Sequence, residues 1–96
     1  MEDIVYYSEL YDIYGGLLTE KQKKYFEDYY FHNLSFAEMA EAYEVSRNAA
    51  FKQIHIVLDK LCEYEKILQL KEKREKILSL VKDSKLQKEL EEILYK

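Results

Sequence analysis

Residues 35–54, SFAEMAEAYEVSRNAAFKQI, read as two short helices joined by a tight turn, and each helix opens on its own capping residue. Ser35 followed by Glu38 has the form of a capping box, in which each side chain satisfies a backbone N–H that the first helical turn leaves unpaired. From there Met39, Ala40 and Tyr43 fall on one face. Val45 plugs the turn, Ser46 caps the second helix, and Ala50, Phe51 and Ile54 are expected to point inward. This is helix-turn-helix spacing, covering residues 35–56. The second helix turns Arg47, Asn48, Ala49, Lys52 and Gln53 mostly outward in its first two turns, where a recognition helix meets base edges and phosphates. With Ser46 they are the candidate nucleic-acid contacts.

Upstream, Ile4, Tyr7, Tyr11 and Tyr14 recur at intervals of three and four, with Val5, Leu10 and Ile13 widening the stripe. This is a tyrosine-rich first helix, stopped by Gly15-Gly16. Thr19 with Gln22 repeats the capping-box pattern, and the helix after it is expected to bury Tyr25, Phe26, Tyr29 and Tyr30 before ending near His32-Asn33. Downstream, Ala50, Ile54, Val57, Leu61, Tyr64 and Leu68 form a heptad seam that begins inside the recognition helix and runs past its useful length. Taken as one element, this long helix spans 47 to about 80. After Leu68 the apolar positions move to Ile67, Leu70, Ile77 and Val81, so the helix either drifts onto a different neighbour or bends there. Ser84 with Gln87 then caps a last helix, 84–95, whose Leu86, Leu90, Ile93 and Leu94 face one way and fold back on the long helix.

The whole is one all-α domain over 1–96. There is no proline, and no run of alternating β-branched residues suggests a sheet. Seven of the ten tyrosines precede Phe31, more than one small core hides together with its leucines. Tyrosine suits a wet protein interface. A homodimer is therefore expected, through Ile4, Tyr7, Tyr11 and Tyr14 and through the seam residues Val57, Leu61, Tyr64 and Leu68.

Several function classes fail on their chemistry. His32 and His55 stand alone, without a second histidine or cysteine at ligand spacing, so no metal is expected. No Gly-rich phosphate loop or nucleophile elbow is present, and no catalytic residue, cofactor or small-molecule substrate is expected. Cys62 falls among leucines and reads as a small buried hydrophobe. No apolar stretch approaches a spanning helix, and the first residues lack a signal peptide's basic start, which points to the cytoplasm. The net charge is −4, the wrong sign for binding nucleic acid by bulk electrostatics. The halves differ, however: residues 1–45 carry −7 and residues 46–96 carry +3. Between Ser46 and Leu58 lie Arg47 and Lys52 and no acid.

The stretch LTEKQKKYFEDYYFHNLSFAEMAEAYEVSRNAAFKQI resembles the promoter-reading module of bacterial sigma factors. With the tyrosine-rich helix ahead and the long helix behind, the chain resembles the YlxM family of small helix-turn-helix proteins, most specifically at LTEKQ, YF-x-x-YY, LS-x-x-E-M-A-E and V-S-R-N-A. That family is encoded beside the signal recognition particle genes in Gram-positive bacteria and mycoplasmas. The resemblance implies an all-helical, dimeric protein with a regulatory or accessory role in that pathway. Two positions depart from sigma-like modules. Glu44 stands where the turn usually holds glycine, and a positive φ there would cost roughly 1–2 kcal/mol. Ala50 stands where a larger valine or isoleucine commonly packs.

Two functions follow as expectations. In the first, the protein is a DNA-binding regulator: Arg47 pairs with guanine or phosphate, Asn48 or Gln53 pairs with adenine, and Lys52 holds phosphate. In the second, the motif is a scaffold, and Lys66, Lys71, Lys73, Arg74 and Lys76 dock on signal recognition particle protein or RNA.

Overall fold

Each helix begins where a polar side chain can close its first turn. The computed structural model describes residues 3–95, which form α1 (Ile4–Tyr14), a 3₁₀ turn (Gly15–Leu17), α2 (Glu20–Tyr30), α3 (Phe36–Tyr43), α4 (Arg47–Leu68), α5 (Leu70–Leu80) and α6 (Ser84–Leu94). There is no strand among the described residues. Asp3 caps α1 through the Val5 and Tyr6 amides. Both expected capping boxes form: Thr19 with Gln22, at 3.1 and 3.0 Å, and Ser35 with Glu38, at 3.0 Å each way. Hydrogen bonds to the Ser35 backbone and side chain hold the Glu38 carboxyl below its ordinary pKa. After α2, Asn33 takes the left-handed conformation, φ 58°, as its short polar side chain permits.

The central post is α4, against which α1, α2 and α3 all pack. Leu10 and Tyr14 of α1, Tyr25, Phe26 and Tyr30 of α2, and Met39 of α3 close over Ala50, Ile54, Val57, Leu58 and Leu61. Aromatic rings make much of this core. Tyr11 stacks on Phe26 with centroids 4.3 Å apart, and Phe26 stacks on Tyr30 at 4.7 Å. The hydroxyls at the core's edge donate to carboxylates, Tyr11 to Glu27 and Tyr43 to Asp28. Burial and then these bonds raise both phenol pKa values.

This packing reassigns part of the expected dimer surface. Tyr14, Val57 and Leu61 are 1%, 1% and 0% exposed in the protomer's own core. The heptad seam is thus occupied internally by α1 and α2. Tyr7, Tyr11 and Tyr64 are half-buried against the same core, whereas Ile4 and Leu68 remain exposed. Cys62 is half-buried, its thiol 3.9 Å from the Tyr7 hydroxyl.

The long helix is not continuous to residue 80. It ends at Leu68, Gln69 adopts φ 54°, ψ 33°, and α5 starts in a new direction. The last helix starts one residue earlier than its serine suggested: Asp83 is the cap, accepting from the Lys85 and Leu86 amides at 2.9 and 3.0 Å. Gln87, freed from a capping role, donates instead to the Leu78 carbonyl at 3.2 Å and to that of Val81. Consequently α6 folds back on α5. Arg74 clasps the hairpin by donating to the Leu94 carbonyl and covering the Tyr95 ring at 3.9 Å. No side chain of α5 or α6 is fully buried. The hairpin extends as an arm, and the radius of gyration, 15.9 Å, exceeds the roughly 12–13 Å of a spherical domain of this length.

Candidate nucleic-acid interface

The turn between α3 and α4 is closed by its backbone. Glu44 adopts φ 56°, ψ 46°, and its amide bonds back to the Ala40 and Glu41 carbonyls. The Val45 amide donates to the Ala40 carbonyl at 3.0 Å. The position that usually holds glycine is left-handed with a glutamate in it, so the turn keeps its regular form despite the departure, and the Glu44 side chain is exposed beside the start of α4. Half-buried Val45 fills the corner against the core.

Ser46 begins α4 by accepting the Ala49 amide on its hydroxyl at 3.0 Å. That bond occupies Ser46 as a cap, and the residue itself is exposed. Beyond it, Arg47, Asn48 and Lys52 are exposed and Ala49 and Gln53 half-buried on the flank. The inward face is set by Ala50 and Ile54, both fully buried. One residue expected inward is not there: Phe51 is 41% exposed. It lies one helical step from Ala50, which carries it to the rim, where it meets Phe36 edge-on at 5.3 Å and His55 at 4.3 Å. Phe36 in turn stacks on Tyr29 at 4.9 Å.

Chemically, this end of α4 offers two free cations and two amides. Neither Arg47 nor Lys52 makes an ion pair among the described residues, and the first turn of α4 contains no acid. A planar guanidinium and an ammonium left unpaired on a convex helix suit phosphate or a guanine edge. The C-terminal basic strip is arranged differently. Lys71 bridges Glu9 at 3.1 Å and also pairs with Glu75, Lys76 pairs with Glu72 at 3.3 Å, and Arg74 is taken up by Leu94 and Tyr95. Hydrogen bonding to Glu75 and Glu9 raises the Lys71 pKa against the opposing effect of burial. Of the five bases expected to form a strip, Lys66 and Lys73 are exposed and make no ion pair among the described residues. Lys71 thus ties α5 to α1 through Glu9 and Arg74 ties it to the end of α6, whereas the pairs with Glu75 and Glu72 lie within α5; only the alternation with glutamates is visible in the sequence.

Among the described residues no helix is long and apolar enough to cross a membrane. The chain matches, over residues 1–96, a family model described as "Putative helix-turn-helix protein, YlxM / p13 like". It is 46% identical over 91 residues to a UPF0122 protein of Ureaplasma urealyticum, covering 92% of each chain. A UPF0122 protein of Geobacillus is 44% identical over 82 residues, which cover 82% of this chain and 74% of that one. A third, from Mycoplasma capricolum, is 41% identical over 81 residues, 84% and 72% of the two chains. The family description names a helix-turn-helix architecture and no enzymatic activity. With α3 and α4 arranged as that architecture requires, the chain belongs to the UPF0122 family of YlxM / p13-like helix-turn-helix proteins.

Proposed function

We propose that this protein is a nucleic-acid-binding regulator that reads duplex DNA with the first two turns of α4. The observation that supports the reading is the outward display of Arg47, Asn48 and Lys52 on a helix start that carries no acid. Arg47 contacts guanine or phosphate, Asn48 or Gln53 reaches adenine, and Lys52 holds phosphate. Ser46 and Ala49 approach the backbone closely because their side chains are small. Few bases face the groove, so a monomer binds weakly. Useful affinity then comes from a homodimer that places two α4 helices on half-sites about 34 Å apart, or a multiple. An accessory role beside the signal recognition particle is the alternative, resting on the family resemblance and on exposed Lys66 and Lys73.

The test is fluorescence anisotropy of labelled duplex DNA and of signal recognition particle RNA against the purified protein and its Arg47→Ala/Lys52→Ala variant. Saturable, salt-sensitive duplex binding that disappears in the variant is expected. RNA binding alone, unchanged by the variant, would replace the DNA reading with the accessory one.

A further inference from the structure

The junction between α4 and α5 is a hinge of one residue under strain. Gln69 holds a left-handed conformation that costs an L-residue stability. No glycine or proline lies anywhere between Arg47 and Leu80, so the sequence accepts a continuous helix through this point. Around the hinge Ile67, Leu68 and Leu70 stand 68%, 41% and 44% exposed. Beyond it α5 lies against α1, where Glu9 pairs with Lys71 at 3.1 Å and Ile13 lines an apolar crevice together with Leu70, Ile77 and Leu94 of the arm. A strained one-residue hinge, a detachable hairpin and a complementary docking face are the requirements for exchange between copies.

We propose that a second copy of this chain takes the arm. Gln69 becomes helical, α4 and α5 fuse into one helix of roughly 50 Å, and each α5–α6 hairpin docks on α1 of the other copy. The occupant of the groove follows from the groove itself, since the contacts seen within one chain are those the second copy reuses. Their free energy therefore largely cancels between the two forms. What changes is local to the hinge. Exchange releases the left-handed residue and lets Ile67 and Leu68 meet their counterparts where the long helices cross. It sacrifices the bond from the Leu70 amide to the Tyr14 hydroxyl and those from the Lys71 and Glu72 amides to the Glu65 carboxylate, because in a continuous helix those amides turn to carbonyls four residues back. Tyr14 and Glu65 together are the latch of the closed form.

This inference rests on the dimeric reading above, and it names how the dimer is built. The test mixes equal amounts of unlabelled protein and protein uniformly labelled with heavy nitrogen, equilibrates them together at high concentration, and joins Lys71 to Glu9 with a zero-length carboxyl–amine cross-linker. In the dimer fraction, half of the Lys71–Glu9 peptide pairs are expected to combine one light and one heavy peptide; in the monomer fraction, none. A dimer whose pairs are all of one isotope overturns the exchange and leaves the dimer. A protein that sediments as a monomer at every concentration overturns both. Gln69→Gly should raise the dimer dissociation constant on the order of a hundredfold, since glycine relieves the bent form and weakens the straight helix at both hinges. Gln69→Ala should change it only a few-fold, and equal dimerisation of the two variants would remove the hinge from the mechanism.

Discussion

The Tyr14 hydroxyl donates to Glu65 Oε1 at 2.6 Å, across 51 residues of sequence. The same hydroxyl accepts the Leu70 amide at 3.1 Å. Glu65 accepts the amides of Lys71 and Glu72 at 3.0 and 3.1 Å. These amides belong to the first turn of α5, where a helix has no partners of its own. Two side chains from α1 and α4 thus act as the cap that Gln69, which makes no side-chain capping bond, does not provide. The break in the long helix is a tertiary feature.

Tyr14→Phe keeps the ring and removes the hydroxyl, leaving the Leu70 amide and one carboxylate oxygen without this partner. Hydrogen bonds to charged groups contribute about 1.5–3 kcal/mol, so a loss of about 2 kcal/mol is expected in urea unfolding. An unchanged unfolding midpoint would show that the junction is held by apolar packing alone.

The same pair gives stability a pH dependence at both ends of the scale. Burial, then the bond to Glu65, pushes the Tyr14 phenol up to about 12 from its ordinary 10. Its folded pKa is raised, so its contribution is complete below pH 10 and is lost as pH rises towards about 12. At the acid end, burial would raise Glu65, but the Tyr14 hydroxyl, the two amides and Lys71 outweigh it and hold its pKa below the ordinary value. That contribution is present above the ordinary carboxylate pKa and is lost as pH falls through the lowered one. Tyr6, Glu9 and Glu75 complete the charged surroundings through Lys71. Unfolding midpoints measured alongside tyrosinate absorbance should fall beyond pH 10 in the wild type and more gently in Tyr14→Phe. Identical alkaline profiles would exclude this phenol as a cause.

Much of this fold was legible because its cues are local. Thr19 with Gln22 and Ser35 with Glu38 announce helix starts within four residues. Ala50, Ile54, Val57 and Leu61 mark a buried face by period alone. The helix end at Leu68 was not legible, since the sequence KILQLKEK contains no breaker and its cap comes from Tyr14, far away along the chain. The heptad seam is apolar by its period, but its partner is not written there: Val57 and Leu61 lie in the core with α1 and α2 of the same chain. At the candidate interface, the capping role of Ser46 was visible in advance. The rim position of Phe51 depended on where Phe36 and His55 lie.

Phe26 and Phe51 should respond very differently to truncation. Phe26 is fully buried between Tyr11 and Tyr30, and Phe26→Ala is expected to cost about 3–5 kcal/mol through lost burial and a cavity. In a domain of this size that leaves little folded protein, readable by circular dichroism on heating. Phe51→Ala removes a ring already at the rim and should cost no more than about 1 kcal/mol. A large loss at Phe51 would mean that its contacts with Phe36 and His55 brace α3 on α4.

Glu44 joins backbone strain and charge at one residue, and two substitutions separate them. Its φ of 56° is a conformation glycine adopts without a Cβ penalty. Glu44→Gly should therefore stabilise the fold by about 1 kcal/mol, although greater freedom of the unfolded chain offsets part of the gain. Glu44→Gln keeps the strain and should leave stability nearly unchanged. Both remove a negative charge beside Arg47 and Lys52. If α4 reads duplex DNA, both should tighten binding by a similar few-fold factor, larger at low salt, because exposed charges are screened beyond about 10 Å at 0.1 M salt. Tightening by the glycine variant alone would assign the effect to the shape of the turn. Stability that rises equally in both would assign it to relief of repulsion in the acidic N-terminal half, and the left-handed turn would then carry little strain.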